Sequence, residues 1–342
     1  MDTFARLPQK ERKVYIEETA SRRNTKATII EKDFWVCWTL KHLFAINGIP
    51  KLSFKGGTSL SKVFQLINRF SEDIDISLDR AALGFSGAHD PANQSLSKTK
   101  QKRLSEKLNS AIVAMVKEQI LPKMQVALEA ILGQTGWALK PLAGDDEEMT
   151  LLFSYPASFD YGSYVTPSIR IDFGRGDQWP SSRESIRPYV AEIFPEAITE
   201  PFVTLTVLTC ERTFWEKVTL LHSENHRPDP SSTNPRMSRH WYDVAVMSTD
   251  SRFTDDKLDE GLLREVIVFK EAHFPRSWAN YETAVPGTLR IVPCLELEKS
   301  LRKDFEQMKE MIWGESISFK EVLSRLQRLE ERINARKSIA DN

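Results

Sequence analysis

Cysteine is scarce in this sequence of 342 residues, and the three that occur, Cys37, Cys210 and Cys294, lie far apart. Their odd number and wide spacing exclude a disulfide framework and a Cys-x-x-Cys metal knuckle. The six histidines are scattered, and the zinc-protease motif His-Glu-x-x-His is missing. Because unpaired cysteines are typical of a reducing compartment, we predict a cytoplasmic protein.

An excess of one charge and long apolar runs are also missing. The 47 Lys and Arg residues nearly balance 48 Asp and Glu residues, for a net charge of −1. This balance excludes a uniformly basic surface for nucleic acid but not a local basic face. No run approaches the ~20 apolar residues of a membrane helix, and residues 1–30 lack the apolar segment of a secretory signal. We therefore expect no membrane partner.

The length suggests two domains, at roughly 150 residues for each. Alternating apolar residues predict strands near 52–54, 73–78, 151–155, 168–173 and 202–208. From Cys210 onward the pattern is almost wholly helical. We predict an α+β fold, with a mixed β-sheet domain flanked by helices over 1–205 and a mostly helical domain over 206–342.

A strand that ends in a glycine turn and leads into a helix is predicted at 54–62, where the sequence reads FKGGTSLSK. Glycine lets a phosphate approach the backbone N–H groups at the start of a helix, where the helix dipole favours negative charge. The residues of this turn that we expect to bind nucleotide phosphates are Gly56, Gly57, Thr58 and Ser59.

Two carboxylates stand two residues apart in the next predicted strand. The period of two places Asp73 and Asp75 on one face and isoleucines on the other. Two carboxylates on one face repel each other unless a cation lies between them. Carboxylate oxygens are suitable ligands for Mg²⁺ or Mn²⁺. Asp172, in the alternating strand 169–173, offers a third ligand. The alternatives are a solvated surface pair for the first two carboxylates, and a strand-end residue or partner of Arg170 for the third.

Three blocks of the chain resemble a known family: EKDFW at 31–35, FKGGTSLSK at 54–62 and RFSEDIDIS at 69–77. Their order of glycine turn, helix and Asp-x-Asp strand resembles nucleotidyltransferases of the polymerase-β type. More closely, the blocks are similar to the AbiEii toxins of abortive-infection toxin–antitoxin systems. Further similar segments lie at 170–173, 211–222, 238–244 and 277–293.

The resemblance implies a nucleotidyltransferase-like fold and a metal-dependent toxin that transfers a nucleotide from a nucleoside triphosphate. The implied acceptor is RNA, with tRNA 3′ ends as the target class. A cognate antitoxin and a role in phage defence are implied as well. The residues that the resemblance assigns to catalysis are Asp73, Asp75, Asp172, Lys217 and Asp243, of which the first three hold the metal.

The later motifs carry the second part of the implied site. Lys217 is expected to pair with triphosphate oxygens, and Asp243 to orient Lys217 or Arg239. The family's Arg-Asp-x-x-Asp motif has His240 in place of its first acid here. The alternatives are a solvated helical lysine for Lys217 and an i,i+4 ion pair with Arg239 for Asp243.

Two charged stretches lie outside these motifs. Glu31, Lys32 and Asp33, at the start of a helix, are expected to be structural, as capping or solvated residues usually are, and Arg69 and Ser71 are possible nucleotide contacts. Five cations within 98–107 are candidate RNA contacts, with a solvated helix face as the alternative. Two other functions stay open: a metal-dependent nuclease, because clustered aspartates also serve phosphodiester hydrolysis, and a nucleotide-binding module without catalysis.

Overall fold

The computed structural model describes residues 1–142, 149–161, 166–176, 178–230, 234–313 and 316–336. The chain divides into two units. The first unit contains residues 1–63, 70–89 and 106–208, and the second contains 64–69, 90–105 and 209–342. The last change of unit thus falls after Leu208, and two earlier segments also belong to the second unit, whereas the sequence suggested two contiguous domains.

One mixed sheet forms the centre of the first unit. Its strands within the described ranges are β1 (Leu52–Lys55), β2 (Ile74–Leu78), β3 (Ala138–Pro141), β4 (Met149–Ser154), β5 (Ser168–Gly174), β6 (Ser181–Ile186) and β7 (Val203–Leu208). They pair in the order β3-β4-β5-β2-β1-β7-β6. The β2–β5 and β1–β7 pairs are parallel and the other pairs are antiparallel. The predicted α+β fold class is confirmed.

Helices surround the sheet in the first unit. They are α1 (Asp2–Ala5), α2 (Gln9–Arg22), α3 (Ala27–Phe44), α4 (Gly56–Lys62), α6 (Leu121–Leu132) and α7 (Tyr189–Ile193). Helix α5 (Lys98–Met115) precedes α6, and a π-helical turn separates them. On α3, Trp35 and Trp38 are fully buried, and the ring of Trp38 stacks 5.9 Å from that of Phe153 on β4. Helix α3 therefore covers one face of the sheet.

Helices build the later part of the second unit, as predicted. They are α8 (Cys210–Asn225), α9 (Ser238–Met247), α10 (Glu260–His273), α11 (Leu295–Met308) and α12 (Phe319–Asn334). The side chains of Thr209, Asp259 and Ser318 cap α8, α10 and α12 by accepting hydrogen bonds from backbone N–H groups. Among the helices in the described ranges, none combines the length and apolar character of a membrane span.

The charged residues 31–33 of α3 have the expected structural role, but they are buried and paired, not capping or solvated. Glu31, Lys32 and Asp33 are between 0% and 3% exposed. Lys32 donates to the carboxylate of Glu72, the residue before Asp73. Buried charges are tolerated only when paired and hydrogen-bonded, and this pairing ties α3 to the segment that enters β2.

A second buried ion pair joins α3 to α4. The ammonium of Lys62 lies 2.6 Å from one carboxylate oxygen of Asp33, and the backbone N–H of Tyr189 donates to the other oxygen at 2.7 Å. The Asp33 and Lys62 side chains are 4% and 6% exposed. Helix α4 is thereby held at both ends, by β1 before it and by this pair at its last residue.

We predict that Lys62→Met destabilises the protein by about 3–5 kcal/mol, because it leaves the buried carboxylate of Asp33 without its cation. The double variant Asp33→Asn, Lys62→Met removes both charges and should recover at least half of the loss. Urea denaturation measures the free energy of unfolding of the single and the double variant. The control Lys140→Met, at an exposed position of β3, should stay within ~0.5 kcal/mol of the wild type. Equal stability of Lys62→Met and the control would contradict the prediction.

Candidate active site

A row of polar side chains crosses the centre of the sheet. In the strand register, Asp75 of β2 lies directly beside Asp172 of β5 on one side and beside Lys55 of β1 on the other. Laterally paired residues share a face of the sheet, so one face carries Lys55, Asp75 and Asp172. The neighbours Ile74 and Ile76 point to the other face and are fully buried. The period of two read from the sequence therefore describes β2 correctly.

The glycine turn is packed against the carboxylate of Asp75. Gly56 has a φ of +80°, and a Cβ there would lie 2.0 Å from Asp75 Oδ2. Both the backbone conformation and the close approach require glycine at this position. The turn that was expected to bind phosphates thus lies beside the Asp-x-Asp strand in space as well as in sequence.

The two hydroxyls of the turn are used inside the protein. Thr58 donates to the backbone carbonyl of Asp73, and its oxygen lies 3.0 Å from the Ser71 hydroxyl. Ser59 donates to the carbonyl of Gly56 at 2.8 Å. Both side chains are buried. In this arrangement their hydroxyls hold the turn and the start of β2 together.

Asp172 is held in place by its neighbours. Its Oδ1 accepts a hydrogen bond from Thr150 of β4 at 2.6 Å and lies 3.2 Å from the guanidinium of Arg170. The contact with Arg170 that the sequence offered as an alternative is therefore present. Because both side chains of that pair are partly exposed, at 48% for Arg170 and 27% for Asp172, it is a weak ion pair that a ligand can displace.

The carboxylates suit a metal by their chemistry, but the three do not form a ready cluster. Over the described ranges, the structure groups no three His, Cys, Asp or Glu side chains in a way that could hold a metal ion. Asp73 and Asp75 are half-exposed and offer hard oxygen donors of the kind that Mg²⁺ and Mn²⁺ prefer. The bonds of the predicted third ligand, Asp172, to Thr150 and Arg170 both fall on its Oδ1. The three-ligand site stays a prediction.

The second unit contains a buried cluster around Asp243 of α9. Two guanidinium nitrogens of Arg69, Nε and Nη2, donate to the two oxygens of this carboxylate at 2.7 Å and 2.8 Å. The ammonium of Lys217, on α8, lies 2.9 Å from Asp243 Oδ2 and 3.2 Å from Nδ1 of His240. Asp243 is 0% exposed and Lys217 is 6% exposed. The alternative that Lys217 is a solvated helical residue is wrong.

The charges of this cluster favour an ionised Asp243 and a neutral His240. Burial opposes the ionisation of Asp243, but the nearby Arg69 and Lys217 outweigh it and hold the pKa of the carboxyl below its usual value. Burial, together with the charges of Lys217 and Arg239, holds the pKa of His240 well below its usual range. At neutral pH the imidazole is therefore uncharged and can accept a hydrogen bond from Lys217.

Several residues around the site were misjudged or missed from the sequence. Arg69, a possible nucleotide contact by its sequence, is 2% exposed and binds Asp243. Lys55, beside Asp75, was not singled out, although its place directly before the glycine turn is a usable signal. Gln178 was missed as well. Its side chain accepts from Ser53 at 2.6 Å and donates to the carbonyl of Ser77 at 2.8 Å.

Comparison with known proteins gives the family. The family described as "Nucleotidyl transferase AbiEii toxin, Type IV TA system" matches residues 38–325. The chain belongs to this family. It is thus a nucleotidyltransferase toxin of the type IV toxin–antitoxin kind, and the resemblance seen in the sequence blocks is confirmed.

A solved structure supports the fold. The nucleotidyltransferase toxin MenT4 (Rv2826c) of Mycobacterium tuberculosis H37Rv is similar, with a TM-score of 0.50 and 15% identity over 97% of this chain and 91% of that chain. At this identity the similarity shows the fold alone. Comparison with curated protein sequences gives no significant match.

We predict that the Asp243 carboxylate makes this AbiEii protein sensitive to acid. Its pKa is lower in the folded chain than in the unfolded chain, so its contribution to stability is complete above about pH 4 and is lost as the pH falls towards the folded pKa. Asp243→Asn should lower the free energy of unfolding at pH 7, and between pH 5 and pH 3 this free energy should fall less steeply than in the wild type.

Urea denaturation at several pH values measures this difference. The control Glu296→Gln replaces an exposed carboxylate of α11 and should keep the wild-type slope. Parallel pH profiles of Asp243→Asn and the wild type would contradict the prediction, because the carboxyl would then titrate alike in the folded and the unfolded chain.

Proposed function

We propose that this protein transfers a nucleoside monophosphate from a nucleoside triphosphate to an RNA acceptor, with the 3′ end of tRNA as the target, and that it needs Mg²⁺ or Mn²⁺. One observation carries the proposal: a carboxylate of the Asp-x-Asp strand lies directly against a glycine turn and beside a second carboxylate strand. Asp75 meets Gly56 and Asp172 in this way. A site of this composition brings acidic metal ligands and a phosphate-binding turn together.

The residues of the first unit would hold and orient the triphosphate. Asp73, Asp75 and Asp172 would hold the metal through carboxylate oxygens. When bound, such a metal neutralises charge on the phosphates and makes an acceptor hydroxyl easier to ionise. Because the hydroxyls of Thr58 and Ser59 are bonded internally, the turn would offer its backbone N–H groups to the phosphates. The two hydroxyls then act as positioning groups.

The cluster around Asp243 contains the cation that we propose for the triphosphate. We assign Lys217 to the triphosphate oxygens and Asp243 to the orientation of its ammonium. The 2.9 Å ion pair and the bidentate hold of Arg69 on Asp243 support this assignment, since a preorganised cation loses little freedom when it binds. Asp243 cancels one positive charge of the cluster, and Arg69 adds another, so the cluster keeps a cation for the phosphates.

The first turns of α5 are the proposed RNA contact. The cations there, which are Lys98, Lys100, Lys102, Arg103 and Lys107, are all exposed, while Leu104 and Leu108 turn inward. An exposed row of cations attracts the phosphates of RNA. A cognate antitoxin, a role in phage defence and a cytoplasmic location follow from the family or from composition, and they remain part of the proposal.

We predict that Asp75→Asn lowers nucleotide transfer roughly 10²-fold or more, since it removes a charged group at the reacting centre but keeps the shape that fits Gly56. Asp79→Asn, just beyond the end of β2, is the matched control. The test incubates purified protein with total RNA and each labelled nucleoside triphosphate in turn, with and without EDTA. Labelled RNA that becomes longer, and no labelling in EDTA, are expected.

Other outcomes separate the alternatives. RNA that becomes shorter in an Asp75-dependent way would show a nuclease. Toxicity that persists in cells producing Asp75→Asn, with no transfer to any RNA, would show a binding module without catalysis. Transfer that persists in EDTA would contradict the metal requirement alone.

We predict that the double variant Lys100→Gln, Arg103→Gln raises the KM for RNA and leaves kcat at saturating RNA unchanged. Each lost phosphate contact should reduce the slope of log affinity against log salt by about 1. The control Lys299→Gln, Lys303→Gln removes the same charge from exposed positions of α11. An equal change of KM in both variants would show that the effect comes from the net charge of the protein. It would then contradict the proposal that α5 contacts RNA.

A further inference from the structure

Lys55 is the cation of the polar row on the sheet. It is the last residue of β1, it lies directly beside Asp75, and Gly56 follows it in the chain. The same row continues through Asp172 to Thr150 of β4. One lysine therefore stands at the end of a row that carries two of the carboxylates assigned to catalysis.

The position of the Lys55 ammonium is marked by Gly176. A Cβ on Gly176 would lie 3.1 Å from Lys55 Nζ and 2.7 Å from Ser77 Oγ. The ammonium thus reaches over β2 towards the turn that follows β5, on the same face as Asp75. Because residue 176 is glycine, no side chain there clashes with the Lys55 ammonium.

Lys55 differs from the structural lysines of this unit by its exposure. Lys32 and Lys62 are buried in ion pairs with Glu72 and Asp33. Lys55 is half-exposed, so solvent and a ligand can reach its side chain.

We infer that Lys55 binds the β- and γ-phosphates of the nucleoside triphosphate, an assignment that rests on the proposed function. A triphosphate carries about four negative charges, and carboxylates in the same row repel it. A cation within that row offsets the repulsion at the turn where the phosphates enter. A nucleoside monophosphate lacks the β- and γ-phosphates and gains nothing from this cation.

The test compares the binding of triphosphates and monophosphates. Each of the four nucleoside triphosphates and its monophosphate is titrated, without RNA, into wild type, Lys55→Met, Lys55→Arg and the control Lys51→Met, whose lysine is exposed just before β1. In Lys55→Met the ratio of triphosphate to monophosphate affinity should fall at least about tenfold, in line with the loss of one charged hydrogen bond. Lys55→Arg should keep part of the preference, and Lys51→Met all of it.

A second measurement uses the wild type alone and does not depend on how a variant folds. Acetic anhydride labels exposed lysines, and mass spectrometry follows each site. A triphosphate should protect Lys55 from acetylation, a monophosphate should not, and Lys51 should react equally in both. An unchanged affinity ratio in Lys55→Met, an equal loss of both ligands, or the absence of triphosphate-specific protection would overturn the inference.

The outcome is separable from that of the proposed function. If the wild type labels no RNA but the affinity ratio still falls in Lys55→Met, the transfer proposal fails and the phosphate contact holds. If the wild type labels RNA and the ratio is unchanged, Lys55 has no role in phosphate binding. If the wild type binds triphosphates no more tightly than monophosphates, both the proposed triphosphate substrate and the inference about Lys55 fail.

Discussion

The close contact between the Asp75 carboxylate and the Cα of Gly56 constrains the whole first unit. It holds only if residue 56 has no side chain and a positive φ, and only if β1 and β2 keep the register that places Lys55 beside Asp75. A slip by one residue would turn Asp75 to the apolar face and Ile76 to the polar face. The burial of Ile74 and Ile76 against the core thus fixes the place of the carboxylate. Packing on one face of the strand determines chemistry on the other.

The buried charges of α3 serve the same constraint from outside the sheet. Lys32 holds Glu72 at the entry to β2, and Asp33 holds Lys62 at the end of α4, so both ends of the motif are anchored on one helix. Buried ion pairs contribute little net stability, because desolvation offsets the Coulomb attraction. Their effect here is geometric: each pair is satisfied in only one arrangement of helix and strand. This accounts for three consecutive buried charged residues in α3.

Local patterns predicted the parts of the site that depend on local structure. The alternation of Asp73 to Ser77 gave the strand and its polar face, and the glycine turn was read from its own residues. Pairing between β2 and β5 joins segments almost a hundred residues apart, and no local pattern reports that Asp75 lies beside Asp172. The edge strands β3 and β6 were missed because they are short and lack apolar alternation: SSRESI at 181–186 has Ile186 as its one apolar residue.

Burial of charge was the other limit. A period of 3.6 assigns charged residues to the solvent, and no local pattern indicates that Glu31, Lys32 and Asp33 have partners far along the chain. Arg69 was misjudged for the same reason, since its carboxylate partner lies 174 positions later. Such contacts are set by tertiary structure, and only an excess of apolar neighbours, as in EKDFW, hints at them.

The substitution at position 240 has a consequence for charge. In the family motif an acid precedes Asp243 by three residues, at the position that His240 occupies here. Here His240 is neutral, because burial and the charges of Lys217 and Arg239 oppose its protonation. Its Nδ1 still lies 3.2 Å from the ammonium of Lys217 and can accept a hydrogen bond from it, so the lysine keeps a second partner. The cluster therefore carries one negative charge fewer than the family motif predicts, which would favour the polyanionic substrate proposed above.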